Sequence, residues 1–217
     1  MSAAADTIPK ELLYGGIALS STVSIEAGAI SGSAVYIGNG LLLTAAHVVD
    51  HMKQGETLFF MNRRMIGSAA IKAHAVSFSP GYNDLALIRI NDAAAISVEH
   101  NGLLPARLCQ NDRPVQHAYL GAHGALVGIA KAVKGARNVL HAAVSPGDSG
   151  GAVIDASRNC LAGIISYGEF LDSSNFIKQN QEAVKSGLGR FQSSPYVRMV
   201  YTPASHISEF LKDAGVN

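Results

Sequence analysis

The stretch Ser145-Pro146-Gly147-Asp148-Ser149-Gly150-Gly151-Ala152-Val153 is the most informative part of this sequence. Its glycines can adopt backbone conformations with positive φ that other residues resist. A loop of this kind can direct several backbone N–H groups at one point, which is what a developing oxyanion requires. Ser149 lies in the middle of the loop, where a nucleophile would stand. The alternative interpretation is an ordinary glycine-rich hairpin turn.

Two other segments supply the groups that a serine nucleophile needs. Leu42-Leu43-Thr44-Ala45-Ala46-His47-Val48-Val49 is an apolar strand that ends in small residues and presents one histidine, and Asn83-Asp84-Leu85-Ala86-Leu87-Ile88-Arg89-Ile90 presents one acid before an apolar strand. Taken singly, His47 is more often structural and Asp84 could be a turn residue. Together with Ser149 they provide nucleophile, base and orienting carboxylate, in an order known for this chemistry.

Composition and charge exclude several classes of protein. The chain has 217 residues, of which 48% are hydrophobic and 15% charged, so it is not a disordered protein. Its net charge of +1 gives no general attraction for phosphates, and we expect no nucleic-acid partner. No apolar run reaches the roughly 18 residues that cross a bilayer, so no membrane span is expected.

Short apolar runs, separated by Gly, Asn, Asp and Pro, predict about a dozen strands and hence an all-β sandwich or barrel. The more polar stretch from Ile96 to Gln116 is interpreted as a linker between two β halves. Apolar residues at helical spacing near the end of the chain predict a C-terminal helix: Ile207, Phe210, Leu211 and Ala214. A second helix is predicted over Asn175 to Ser186, inside a polar insertion from Glu169 to Pro195.

Cysteine and histidine usage predicts no metal site, and no GxGxxG or P-loop spacing indicates a nucleotide cofactor. Cys109 and Cys160 form no CxxC pair; a single disulfide is possible, but we expect two buried free thiols. His47 and His51 have the spacing of a zinc helix without its glutamate, so no metal is expected. Of the others, His141 could touch substrate, and the rest are expected to be structural or at the surface: His74, His100, His117, His123 and His206.

The segments TAAHVV, NDLALI and GDSGG resemble those of trypsin- and chymotrypsin-like serine proteases. The sequence Gly163-Ile164-Ile165-Ser166-Tyr167-Gly168 resembles the family's strand that pairs with the substrate backbone. Val200-Tyr201-Thr202 before a helix resembles the family's chain ending. Gly32-Ser33-Ala34-Val35-Tyr36-Ile37-Gly38 is closest in style to compact bacterial members. The resemblance extends over about residues 13 to 214.

This resemblance implies an all-β, chymotrypsin-like fold: two six-stranded antiparallel β-barrels with the active site in the cleft between them, then a C-terminal helix. The N-terminal barrel, 13–100, would carry His47 and Asp84. Residues 101–116 would form the inter-barrel linker. The C-terminal barrel, 117–202, would carry Ser149 and the substrate pocket, and residues 203–217 would form the helix.

The resemblance also implies a serine endopeptidase that cleaves a protein or peptide substrate through an acyl-enzyme, without a cofactor. The N–H groups of Gly147 and Ser149 would form the oxyanion hole. The pocket beside Ser149 would be lined by Ala143, Val144, Ser145, Ser166, Tyr167, Gly168 and Met199. Ala143 stands where trypsin-like members carry an acid, and an inward Met199 would shorten the pocket. We therefore expect a preference for small or medium apolar P1 side chains.

The sequence departs from the animal digestive members in two respects. It can make at most one disulfide, and no basic cleavage site immediately precedes Leu13, where a new N-terminus would arise. In the digestive members that new N-terminus pairs with the aspartate before the nucleophile. Because an unpaired buried carboxylate is costly, we expect Asp148 to pair with another group.

Relatives mostly work outside the cytosol, so export with a leader absent from this chain is expected, with a cytoplasmic location left open. The oligomeric state and the physiological substrate stay open.

The sequence leaves two alternatives to a general endopeptidase. An inactive homologue would bind a partner protein through the same cleft, although such homologues usually lose a catalytic residue and all three are present here. A processing enzyme would cut one partner protein only.

Overall fold

The computed structural model describes residues 20–27, 30–50, 58–61, 69–71, 74–79, 84–90, 102–110, 113–169 and 198–216. The strands of the N-terminal half are β1 Thr22–Ala27, β2 Ile30–Gly38, β3 Leu41–Thr44, β4 Leu58–Met61, β5 Ala69–Ile71, β6 His74–Ser79 and β7 Leu85–Arg89. Those of the C-terminal half are β8 His117–Ala122, β9 Ala125–Ala132, β10 Val139–His141, β11 Ala152–Asp155, β12 Cys160–Glu169 and β13 Arg198–Pro203. The helices are α1 Ala46–Val49 and α2 Ala204–Asp213.

The N-terminal half is an antiparallel sheet of seven described strands in the order β5-β4-β1-β2-β3-β7-β6. The count differs from the predicted six because β5 and β6, at the two edges, are separate strands. β5 ends at Ile71 and β6 begins at His74. The three Cα steps between them span at most about 11 Å, so the two edges of the sheet approach each other there. The sheet is therefore curled in the manner of a barrel.

The C-terminal half is a closed six-stranded antiparallel barrel in the order β10-β13-β12-β11-β8-β9. This confirms the chymotrypsin-like fold that the sequence motifs indicated for this half. The sequence of β8, His117-Ala118-Tyr119-Leu120-Gly121-Ala122, has no β-branched residue and so a low intrinsic preference for a strand. Its strand conformation comes from pairing on both sides, with β9 and with β11. The domain boundaries at residues 100 and 116 remain predictions.

The core explains how the two halves hold together. One buried apolar cluster lies within each half, and a third is shared between them. In the shared cluster Leu43 and Leu87 of the first sheet pack with Leu161 and Ile164 of the second barrel. The predicted C-terminal helix is confirmed as α2. Its residues Ile207 and Phe210 are buried in this shared cluster.

The expectation of free thiols is wrong, because Cys109 and Cys160 form a disulfide with a Cα–Cα distance of 5.1 Å. The linker runs beside β12, where Cys109 N–H donates to the carbonyl of Leu161 at 2.9 Å. An adjacent bridge joins Leu108 to Leu161. This pairing brings the two cysteines within the Cα separation that a disulfide requires.

Other predictions lie outside the described residues, among them the helix over 175–186 and most of the insertion after Glu169. Among the residues that the structure describes, no helix is long and apolar enough to span a membrane.

Candidate active site

His47 and Asp84 are brought together by the pairing of β3 with β7. β3 leads directly into α1, which carries His47, and Asp84 immediately precedes β7. The N–H of Ala46 donates to the carbonyl of Asp84 at 3.0 Å, and the N–H of His47 donates to Asp84 Oδ1 at 3.0 Å. The ring Nδ1 of His47 lies 2.9 Å from Oδ2 and 3.1 Å from Oδ1. Backbone and side-chain contacts thus hold the imidazole ring of His47 in one orientation relative to the carboxylate of Asp84.

Ser166 connects this pair to the second barrel. Its hydroxyl donates to Oδ2 of Asp84. The register of β12 against β13 shifts between Ile165 and Tyr167, so Ser166 is the extra residue of a β-bulge. A bulge leaves one residue out of the regular ladder and can redirect its side chain. Here that residue is 5% exposed and contacts the carboxylate on the opposite β unit.

The contact between His47 and Asp84 changes the pKa of both groups. The hydrogen bond that His47 makes to the carboxylate of Asp84 raises the pKa of His47 above its usual value, against the opposing effect of burial. Burial would raise the pKa of Asp84, but the hydrogen bonds from His47 and Ser166 outweigh it and leave that pKa lowered. The arrangement therefore stabilises an imidazolium beside an ionised carboxylate.

The loop around Ser149 is held by both β units. Asp148 N–H donates to the carbonyl of Ser145 at 3.0 Å, closing a turn with Gly147 at φ +97°. Proline followed by glycine is the sequence that a type II turn favours. The N–H of Ser33, on the first sheet, donates to the carbonyl of Ser149 at 2.8 Å, and Gly150 N–H donates to that of Ile165 at 2.8 Å.

Gly150 shows why the loop needs a residue without a side chain. Its φ is +85°, and an added Cβ would run into the backbone oxygen of Ser33 and the hydroxyl of Thr44. Thr44 itself donates to that Ser33 oxygen at 2.7 Å. The loop around Ser149 therefore approaches the first sheet closely at the end of β3, from which α1 follows.

The hydroxyl of Ser149 donates to the carbonyl oxygen of Ser166 at 3.0 Å. Within the described part of the chain, no hydrogen bond joins Ser149 to His47. The three predicted residues are thus linked through Ser166, with its carbonyl on Ser149 and its hydroxyl on Asp84.

Asp148 has two partners in the structure. Its Oδ2 accepts the N–H of Ser145 at 2.7 Å, and its Oδ1 lies 3.5 Å from Nε2 of His123. A partner other than a new N-terminus was expected for Asp148, but the sequence did not identify His123, which was predicted to be structural or at the surface. The histidine-glycine pair between two strands signals a hairpin turn, without indicating what the ring contacts.

The residues predicted to line the pocket divide into exposed and buried groups. Ala143, Ser145 and Tyr167 are exposed, the last by 51%. Val144, Ser166 and Met199 are buried, and Val144 and Met199 belong to the core cluster of the second barrel. Gly168 pairs with Met199 across β12 and β13.

A separate cavity of about 890 Å³, lined by Cys109, Tyr201 and several basic side chains, includes none of the predicted site residues.

The described residues contain no group of three or more His, Cys, Asp and Glu side chains able to hold a metal ion.

Two antiparallel β units, with a paired histidine and aspartate on one and a serine in a glycine-rich loop on the other, define the chymotrypsin-like class of serine protease. Residues 32–164 match the family model of the trypsin-like peptidase domain. The match covers more than half of the chain, which therefore belongs to this family and is a trypsin-like serine endopeptidase. No curated protein sequence matches it.

Solved structures of the Rv3671c protease from M. tuberculosis H37Rv have the same fold. An inactive form of its serine-to-alanine mutant is 15% identical, with a TM-score of 0.61 and coverage of 99% of this chain and 97% of that one. Another inactive form is 17% identical, with a TM-score of 0.60 and 98% coverage of both chains. The active form is 17% identical, with a TM-score of 0.61 and coverage of 96% and 85%. At these identities the likeness shows the fold alone.

Proposed function

We propose that His47, Asp84 and Ser149 are the catalytic triad of this peptidase. The observation that carries the proposal is the contact of Asp84 with both the ring Nδ1 and the backbone N–H of His47. A carboxylate on Nδ1 favours the tautomer in which Nδ1 carries the proton and Nε2 is free to accept one. His47 is then prepared to act as a general base toward a serine hydroxyl.

The proposed reaction begins when the Ser149 hydroxyl turns from the Ser166 carbonyl toward His47. His47 takes the proton as Ser149 Oγ attacks the peptide carbonyl carbon, and Asp84 stabilises the imidazolium. The leaving amine then receives this proton, and a water molecule activated by His47 hydrolyses the acyl-enzyme. The raised pKa of His47 agrees with stabilisation of its charged form.

We assign the oxyanion hole to the N–H groups of Gly147 and Ser149. Neither N–H donates to a protein acceptor within the described part of the chain. The positive φ of Gly147 and the turn that it closes support this assignment, because they fix the orientation of the peptide groups around Ser149. Donors fixed before the reaction require no reorganisation as negative charge develops.

Labelling with a fluorophosphonate tests the triad. Folded wild-type protein should be labelled, Ser149→Ala should not, and His47→Ala should be labelled far more slowly. Ser208→Ala, which changes an exposed serine of α2, is the matched control and should react like wild type. Labelling that persists in Ser149→Ala would refute the assignment, and unlabelled folded wild type would favour the inactive, partner-binding homologue.

For substrate choice we propose small or medium apolar P1 side chains. The support is that Ala143 brings no charge to the pocket wall, while Val144 and Met199 fill the adjoining core with apolar side chains. A panel of peptides that differ only at P1 tests this. Fastest cleavage after Ala, Val or Leu is expected, whereas fastest cleavage after Arg or Lys would contradict it. Cleavage of only one protein from a complex mixture would identify a dedicated processing enzyme.

We also propose that the protein works in an oxidising compartment outside the cytosol. The disulfide between Cys109 and Cys160 supports this, because such bonds persist in oxidising environments and are rare where thiols are kept reduced. Fractionation of the source cells should find the protein in the exported fraction, and recovery from the cytosol alone would contradict the proposal.

A further inference from the structure

The carboxylate before the nucleophile is buried and must be paired. Asp148 is 6% exposed, and a buried carboxylate is costly without hydrogen-bonding partners. Oδ2 accepts the N–H of Ser145 within the same loop, at 2.7 Å. Oδ1 lies 3.5 Å from Nε2 of His123, which belongs to a different hairpin. His123 is therefore the partner that ties this carboxylate to structure outside the loop.

The imidazole of His123 is itself fixed by the first sheet. His123 lies in the turn between β8 and β9, with a φ of +53°. Its backbone N–H donates to the hydroxyl of Ser33 at 3.1 Å, and its Nδ1 is 3.1 Å from the hydroxyl of Ser24. Both serines belong to the N-terminal sheet, on β2 and β1. The ring thus spans from that sheet to the carboxylate of Asp148.

The same ring packs on the loop of Ser149. A Cβ at Gly147 would lie 3.0 Å from both Cε1 and Nε2 of His123. Ser33, which accepts the N–H of His123, donates its own hydroxyl to the carbonyl of Gly147 at 2.9 Å. The histidine and its serine partner therefore contact the two residues that precede Ser149, and a shift of the ring would be transmitted to both.

We propose that His123 is a positioning residue for the oxyanion loop: by holding Asp148 and packing on Gly147, it fixes the N–H groups of Gly147 and Ser149. The inference rests on the proposed function of those groups. Nδ1 contacts the hydroxyl of Ser24 at 3.1 Å, and Nε2 faces Oδ1 of Asp148 at 3.5 Å, a polar contact longer than an ordinary hydrogen bond. His123 acts through Asp148 and does not touch the reacting atoms.

Two substitutions separate the role of Nε2 from the space that the ring fills. The amide nitrogen of glutamine reaches about as far as Nε2, so His123→Gln keeps a donor toward Asp148. Asparagine reaches only about as far as Nδ1, so His123→Asn loses that donor, although it tolerates positive φ well. The matched control is His117→Asn, at the exposed opposite end of β8.

The experiment measures kcat and KM on one peptide substrate for wild type and these variants. Oxyanion donors act on the transition state, so His123→Asn should lower kcat by about 10–100-fold while KM changes by less than about threefold. His123→Gln should recover most of this loss. Ser24→Ala, which removes the partner of Nδ1, should lower kcat by a smaller factor, and His117→Asn should equal wild type.

Several results would overturn the inference. They are wild-type kcat in His123→Asn, a higher kcat in that variant, or equal losses in the asparagine and glutamine variants. If His123→Asn does not fold, as judged by its thermal unfolding, Ser24→Ala decides the question, and an unchanged kcat there counts against the role. An active wild type with unaffected variants refutes this inference alone, whereas a wild type without Ser149-dependent labelling refutes the proposed function on which it rests.

Discussion

Ser166 donates a hydrogen bond from its hydroxyl group to Oδ2 of Asp84, from the C-terminal barrel to the N-terminal sheet. The same carboxylate oxygen lies 2.9 Å from Nδ1 of His47. It joins the two β units at the site itself, in addition to the shared apolar cluster.

Ser166→Ala should therefore reduce turnover without unfolding the protein. A hydrogen bond to a charged group contributes about 1.5–3 kcal/mol. The bonds from His47 to Asp84 remain in the variant and still orient the carboxylate in part, so we expect kcat to fall by about tenfold. Steady-state kinetics at fixed pH measure this. Ser208→Ala is the control, and an unchanged kcat in Ser166→Ala would show that the hydroxyl does not help to orient Asp84.

The pH dependence of activity should follow the pKa of His47. The ring acts as a base only when neutral, so kcat/KM should fall as pH drops through a pKa that Asp84 has raised above 6.5. In Asp84→Asn the histidine loses this stabilisation, and the acid limb should move to lower pH. The plateau rate should also fall, by about 10⁴-fold, because the tautomer is no longer held. An acid limb that stays in place would contradict the pairing.

The candidate site could be proposed from the sequence because its residues lie in short contiguous motifs. Ser149 has glycines on either side that shape its loop, and His47 and Asp84 each adjoin an apolar strand, so each could be recognised locally. The C-terminal helix was equally accessible, since Ile207 and Phe210 show the helical period. These features depend on neighbours within a few residues.

What was missed depends on contacts between distant segments. His123 meets Ser24, 99 residues earlier in the chain, and nothing in a histidine-glycine turn encodes that partner. The disulfide depends on the linker running beside β12, which places residues 51 positions apart in contact. β8 becomes a strand because it is paired on both edges, in spite of its low intrinsic preference.

Gly150→Ala should destabilise the protein strongly. The residue combines positive φ with a close approach to Ser33 and Thr44. Gly135→Ala is the matched control, because Gly135 has a φ of +78° and no atom within 4 Å of the added Cβ. Backbone strain alone costs about 1–2 kcal/mol, so the control should lose that much and Gly150→Ala clearly more. Urea denaturation measures both, and equal losses would contradict the close approach.

Removal of the disulfide should lower stability but leave the fold intact. The double variant Cys109→Ser, Cys160→Ser lacks the cross-link between residues 51 positions apart, which constrains the unfolded chain. We expect its free energy of unfolding to be lower by about 2–4 kcal/mol. Thermal unfolding with and without reductant measures the change. Wild type should lose a similar amount on reduction, and the double variant should not respond. Free thiols detected by alkylation of unreduced, denatured wild type would contradict the bond.

Asp155 provides a test of stability away from the site. The residue is 3% exposed, and its carboxylate accepts hydrogen bonds from the backbone and hydroxyl of Ser157 and from the backbone and guanidinium of Arg158. Burial would raise the pKa of Asp155, but these bonds outweigh it and leave that pKa lowered. The ionised form is therefore the one that the native structure stabilises.

Asp155→Asn should reduce the free energy of unfolding at pH 7 by about 1–3 kcal/mol, because the new amide group faces donors and cannot replace the charge. Because the folded pKa is depressed, the contribution is present above the usual carboxyl pKa and is lost as pH falls through the folded value. The difference between wild type and variant should consequently shrink in acid. Urea denaturation at pH 7 and at low pH measures it, with Asp213→Asn on the exposed face of α2 as control. A difference of the same size at both pH values would mean that Asp155 acts through its shape and not through its charge.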